Sequence, residues 1–225
     1  MKIRWIGQSG YILSDGKNTV YIDPYLSDVV NRVAGRARMI PAPVDGKDIV
    51  ADAVICTHNH LDHLDVDLIR EMDKENILFL APSHCRDTLV SLGVKNYREF
   101  DEGEIVSVGD FEFSAVYANH TVPAIGVVVT YDGTRMYFTG DTFFDEKLTA
   151  VDCDILFICI NGKLGNMNAE EAALVTDKIK PKRGIPSHYG MFESNTENPE
   201  KYTDRIDCGF IMEFDREYDI KELLE

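Results

Sequence analysis

Three histidines and an aspartate fall within six residues of the stretch Thr57-His58-Asn59-His60-Leu61-Asp62-His63-Leu64-Asp65. Imidazole nitrogen and carboxylate oxygen are the donors a borderline divalent cation accepts, so His58, His60, Asp62 and His63 are four candidate ligands in one place. The chain has only 6 histidines, and a polar turn without a chemical duty would not gather half of them. Three further stretches carry the same donor types: Tyr117-Ala118-Asn119-His120, Phe138-Thr139-Gly140-Asp141-Thr142 and Ile185-Pro186-Ser187-His188-Tyr189. Each alone reads as a polar residue meeting solvent where a strand ends. With the first cluster they use five of the 6 histidines, and the chemistry such a set supports is metal-assisted hydrolysis. Asp23, followed by Pro24, is a further acid at a strand end, costly to bury unless it bonds to a partner such as a ligand imidazole.

The elements that must position these groups are legible around them. Ala53-Val54-Ile55-Cys56 is an apolar run that reads as a buried strand spilling into the first cluster. Residues 2–7, 10–15 and 19–23 read as short strands, with an Asp15-Gly16 hairpin signal and Pro24 closing the third. Residues 27–48 hold Gly35, Pro41, Pro43 and Gly46 without periodicity. They read as a long loop with a short helix near 29–33, the kind of segment that covers active sites. Further strands are expected at 77–80, 104–108, 111–117, 125–131, 134–139, 153–160 and 183–187, and helices at 66–74, 84–92, 168–179 and 198–206. His84, at a helix start, reads as a capping or surface residue. The two strand-rich halves, each with helices outside, predict an α/β (α+β) chain of two packed sheets between helical layers, in one domain over 1–225.

A second polar loop, Ile160-Asn161-Gly162-Lys163-Leu164-Gly165-Asn166-Met167-Asn168, follows the most apolar strand. Asn161, Lys163 and Asn166 offer donors suited to phosphate or hydroxyl oxygens. With Tyr189 they are the expected substrate-binding residues, while Asn168 reads as a helix cap.

Composition narrows the function. At 225 residues, 44% hydrophobic and 28% charged, the chain has the makeup of a soluble globular protein. No apolar stretch approaches the roughly 20 residues that span a bilayer, and the amino terminus begins as a strand without a signal-peptide core. The expectation is a cytoplasmic protein with no membrane partner. Its 5 cysteines are odd in number and scattered, as expected of reduced thiols. A net charge of −16 repels phosphate backbones, so no nucleic-acid partner is expected and the substrate is a small molecule. A homo-oligomer is compatible with all of this.

The pattern His-x-His-x-Asp-His, followed in order by His120, Asp141 and His188, resembles the metallo-β-lactamase superfamily over nearly the whole chain. The resemblance implies a four-layer αββα sandwich with its site at one edge of the sheets. It implies two divalent ions, zinc or manganese with iron admissible: His58, His60 and His120 on the first, Asp62, His63 and His188 on the second, and Asp141 between them. It gives Asp23 the task of supporting a ligand. The loop at 160–168, with Ile22-Asp23-Pro24 and the His-rich motif, looks like the L-ascorbate-6-phosphate lactonase branch. The expected activity is therefore cleavage of a lactone or ester-type bond in a small anionic substrate by a hydroxide shared between two ions, with Asp62 as proton shuttle. Two other readings stand beside it: a phosphodiesterase acting on a small cyclic or phospholipid-like substrate, and a non-catalytic metal-binding or interaction module.

Overall fold

The apolar runs that precede each candidate ligand all become strands, and a computed structural model covering residues 1–225 places them in two sheets. The chain order is β1 Lys2–Trp5, β2 Tyr11–Ser14, β3 Thr19–Ile22, helix α1 Val29–Ala34, β4 Ala53–Ile55, α2 Val66–Glu71, β5 Leu78–Ala81, α3 Arg86–Ser91 and β6 Tyr97–Glu99. It continues with β7 Ile105–Val108, β8 Phe111–Tyr117, β9 Ile125–Tyr131, β10 Thr134–Phe138, β11 Ile155–Cys159, α4 Ala169–Ile179, β12 Arg183–Ser187, α5 Glu200–Thr203, β13 Glu217–Asp219 and α6 Ile220–Leu224. One sheet has 7 strands in the order β13-β1-β2-β3-β4-β5-β6, and the other has 6 in the order β12-β11-β10-β9-β8-β7.

Strand direction explains why distant residues meet. In the first sheet β1 and β3 are each antiparallel to β2, and β3 is parallel to β4, so β1, β3 and β4 all end at one edge. In the second, β8 and β10 are each antiparallel to β9, while β10, β11 and β12 are parallel. Their carboxyl ends therefore share an edge too. The sheets face each other across a core of 42 buried residues, in which the Phe138 and Phe157 rings stack at 4.2 Å and Tyr11 meets both edge-on. β11 is buried at every position, whereas β8 alternates along its first half, as a strand with one wet face does. A second core of 18 residues, including Leu68, Ile69 and Leu89, lies where α2 and α3 cover the first sheet.

The expected helix near 29–33 is α1, and Asn168 caps α4 in a capping box with Glu171. The helix expected over 198–206 is limited to α5, because Pro199 stands at its start and the chain leaves helical pairing at Asp204. β6 and β13 were not expected. Both are three-residue polar edge strands, held by backbone pairing to β5 and β1.

A candidate metal centre at the shared strand edge

β4 leads through Cys56 into Thr57-His58, and the loop behind it folds back so that His58, His60 and His63 gather at that strand end. β8 delivers His120, β10 delivers Asp141 and β12 delivers His188. The seven predicted ligands fall into two groups: His58, His60, His120 and Asp141, and Asp62, His63 and His188, each with donor atoms within 4.8 Å of one another. In the first group His58 Nε2 lies 2.9 Å from His60 Nδ1, which lies 3.1 Å from His120 Nε2. Three ring nitrogens converge there with no carboxylate among them at hydrogen-bond distance.

Hydrogen bonds behind the rings fix their tautomers. Asp23 Oδ2 lies 2.7 Å from His63 Nδ1 and accepts a hydrogen bond from it, which turns Nε2 toward the site. Thr57 Oγ1 donates to Asp23 at 2.7 Å, so it has only lone pairs to offer His58 Nδ1 at 3.1 Å. His120 Nδ1 donates to the Gly165 carbonyl at 3.0 Å. His58 and His120 thus aim an unprotonated nitrogen at the site, and His63 turns its Nε2 there, the arrangement that suits a cation. Asp23 lies behind His63, on the far side of the ring from the other candidate ligands.

Asp141 sits between the groups. Its Oδ2 is 3.8 Å from His120 Nε2, and its Oδ1 is 3.2 Å from both His63 Nε2 and His188 Nε2. Despite that closeness, Asp141 Oδ1 and His63 Nε2 are buried without an aligned hydrogen bond to any group. Buried polar atoms are rarely left so, and donors turned toward a common centre are the arrangement a cation satisfies. The residues present therefore fit two divalent ions.

Electrostatics separate the two groups. Burial, reinforced by neighbouring imidazoles, holds His58, His60 and His120 below the usual imidazole range. Burial also opposes charge on His63 and His188, but the carboxylates win. Asp141, Asp23 and Asp62 raise His63 well above its usual value, and Asp141 with Asp62 raises His188 to about 9. At pH 7 the imidazoles of the ion-free first group are neutral, while the second group holds protons that an ion must displace. Affinity at the second group should therefore rise with pH at least up to the His188 value of about 9. Calorimetric titration at pH 7 in buffers of different ionisation heat should count about zero protons released by the first ion and one to two by the second.

Several backbones here are strained. Gln8, Asp23, Leu164 and His188 all adopt positive φ, of 54°, 45°, 55° and 59° respectively. Such conformations cost about 1–3 kcal/mol each and gather where a site dictates geometry. Gly165, at φ 98°, lets its carbonyl reach His120, and a Cβ there would fall 2.7 Å from the ring. Gly165→Ala should displace His120 and weaken metal binding, read by metal titration, while leaving the far-edge hairpin of β9 and β10 intact by hydrogen exchange.

The groups open onto a cavity of about 380 Å³ whose wall includes His60, Asp62, Asp141 and His188. The segment 27–48 contributes Val30, Ala34 and Arg36 to its wall. Asp65 anchors that loop by accepting from Leu26 N, Ser27 N and Ser27 Oγ while capping α2. None of the four expected substrate-binding residues lies on the wall. Asn161 and Asn166 are buried, with Asn161 donating to Asn195 Oδ1 at 2.6 Å. Lys163 Nζ is drawn 3.0 Å from the Ser194 carbonyl, and Tyr189 packs on Trp5 at 4.8 Å between ring centroids. The loop at 160–168 instead presents Leu164 to the cavity and Gly165 to His120. His84 stays apart, 3.6 Å from Cys85 Sγ.

Gln8 is the residue the sequence reading missed. Fully buried after β1, it donates to Asp62 Oδ2 at 2.7 Å, and its amide nitrogen is 3.1 Å from His188 Nε2. The available signal was a polar side chain between Gly7 and Gly10, directly after a strand of alternating polar and apolar residues.

Comparison with known proteins agrees with this architecture. Residues 18–189 match the family model of the beta-lactamase superfamily domain. A UPF0173 metal-dependent hydrolase of Oenococcus oeni is 30% identical over 240 residues, spanning 97% of this chain and 100% of the relative. The structure of a metallo hydrolase from the hyperthermophilic archaeon Ignicoccus hospitalis superposes with a TM-score of 0.78 at 18% identity, covering 96% of this chain and 97% of that one. An isothiocyanate hydrolase from Delia radicum gut bacteria gives 0.80 at 21% identity, covering 97% and 99%. At those identities the two structures speak for the fold alone. This chain belongs to the beta-lactamase superfamily, among the metal-dependent hydrolases of the UPF0173 group.

Proposed function

We propose that residues 1–225 form one dinuclear hydrolase domain that cleaves a lactone or ester-type bond in a small anionic molecule. The observation that carries this reading is Asp141, whose two oxygens face separate ligand groups at the floor of a cavity. His58, His60 and His120 would hold one zinc or manganese ion, Asp62, His63 and His188 the other, with Asp141 shared. When bound, such ions supply Lewis acidity and lower the pKa of water toward ~7.

The chain's own groups do the rest. Burial works against ionisation of Asp62, but the charges of His63 and His188 hold its carboxyl below the usual range, so it is an anion at neutral pH. The Gln8 carboxamide orients that anion at the cavity wall. As the water oxygen bonds to the carbonyl carbon and the bond to the leaving oxygen breaks, Asp62 takes the water proton and returns it to the leaving oxygen. Leu61, Leu164 and Phe192 line the cavity and exclude competing water. These apolar side chains suit a substrate with an apolar segment beside its scissile bond.

The test is a panel of lactones, aryl esters and phosphodiesters, assayed with manganese and with zinc after chelation. Turnover of a lactone or ester should vanish on metal removal and return on addition. Turnover confined to phosphodiesters would overturn the bond assigned, and stoichiometric metal without turnover would point to a binding module instead. A small-molecule substrate rather than nucleic acid accords with the net charge of −16. A cytoplasmic location is supported by five cysteines of which none is paired. No helix is long and apolar enough to cross a membrane.

A further inference from the structure

Arg36 stands out among the cations. It lies on the cavity wall, half-buried, directly after the left-handed Gly35 that ends α1. Its guanidinium makes no hydrogen bond or ion pair. Every other arginine has a carboxylate or a backbone carbonyl as partner: Arg4, Arg32, Arg70, Arg86 and Arg216 with acids, and Arg38, Arg98, Arg135, Arg183 and Arg205 with carbonyls. In a chain with 39 acidic residues against 23 basic ones, leaving one guanidinium free beside a cavity is a specific arrangement. No other arginine or lysine lines that cavity, and Lys163, the neighbouring candidate, is spent on a carbonyl.

We propose that Arg36 is the subsite for a carboxylate on the substrate, so that the hydrolase selects singly charged molecules in which an apolar segment joins the scissile carbonyl to that carboxylate. This rests on the hydrolase reading above. The scissile carbonyl belongs at the end of the cavity floored by Asp62 and Asp141, and the apolar segment lies against Val30, Leu164 and Phe192. One guanidinium matches one carboxylate in a two-pronged hydrogen bond. A dianionic phosphate would leave a charge uncompensated in an acidic protein, and the wall offers no second cation to meet it.

The test uses matched hydroxamates on the zinc-reconstituted protein. Each has the same chelating head and an alkyl chain from a graded series of lengths, ending in methyl or in carboxylate. At the best length the carboxylate tail should bind roughly 10- to 100-fold more tightly than the methyl tail. Arg36→Met should erase that ratio, and Arg36→Lys should keep part of it, both at wild-type metal content. In parallel, kcat/KM is compared for 4-nitrophenyl alkanoates and their ω-carboxylate counterparts, where the same preference is expected. Equal affinity of the two tails in the wild type, or no binding of either, overturns the subsite. A phosphonate tail that outbinds the carboxylate overturns the single charge. A tail preference lost in Arg36→Met but accompanied by no ester turnover upholds the subsite and overturns the hydrolase reading. Ester turnover without a tail preference does the reverse.

Discussion

Asp141→Ala should lower hydrolysis by at least ~10³-fold, because an ion that stabilises the transition state by several kcal/mol is no longer held in place. The loss should reach both ions. Asp141 is the one carboxylate with an oxygen toward each group, 3.2 Å from His63 and His188 on one side and 3.8 Å from His120 on the other. Its charge is also what keeps His63 and His188 oriented and protonated when no ion is bound. Asp141→Asn retains the shape without the charge and should fail nearly as badly, which separates electrostatics from packing. Metal analysis of both variants beside kinetics reads the outcome. A full complement of metal with activity within tenfold of wild type would exclude Asp141 as a shared ligand on which hydrolysis depends.

Asp23→Ala should show two losses at once. The carboxylate is buried and accepts from Thr57 N, Thr57 Oγ1 and His63 Nδ1, all at 2.7 Å. Removing it strands three buried donors at about 1–3 kcal/mol each, so the ion-free protein should lose on the order of 3–9 kcal/mol of stability. The second loss is in metal affinity, by ~10–100-fold, as for other groups that orient a ligand from behind. It should extend to the first group, because Thr57 presents a lone pair to His58 only while its own proton goes to Asp23. Urea unfolding of the ion-free protein gives the stability, and competition against a metal indicator gives the affinity. A stability loss with affinity intact would make Asp23 a residue of the fold alone.

How much of this was legible without coordinates varies by residue, for physical reasons. His58, His60, Asp62 and His63 are close in the chain, and donor type is a covalent property, so the first cluster declared itself. His120, Asp141 and His188 were readable because each follows an apolar run with the pattern of a strand, and strand ends are where side chains leave the core. The short helix in the loop at 27–48 was readable from its apolar residues, and the loop's position over the cavity accords with its length. β6 and β13 were not readable, since three residues with one aromatic among polar neighbours carry no period, and only the fold shows Tyr97 and Tyr218 packing on the cores beside the backbone pairing. The loop at 160–168 misled for a related reason. Its composition promised donors for a ligand, but Asn161 and Lys163 satisfy groups of the chain itself.

By itself, then, the sequence determined the donor set, its order along the chain and the strands that carry it. Only the tertiary structure decided which donors share a centre, which ring nitrogen each presents and which side chains reach the cavity. Those depend on contacts between residues as far apart as Asp23 and His63, separated by 40 positions, or Gln8 and His188, separated by 180. Sheet order and strand direction bring such pairs together. The strained backbones of Gln8, Leu164 and His188 then aim their side chains, and no local pattern encodes that aim. Arg36 shows the same division: its charge is written in the chain, but its freedom from any partner exists only in the fold.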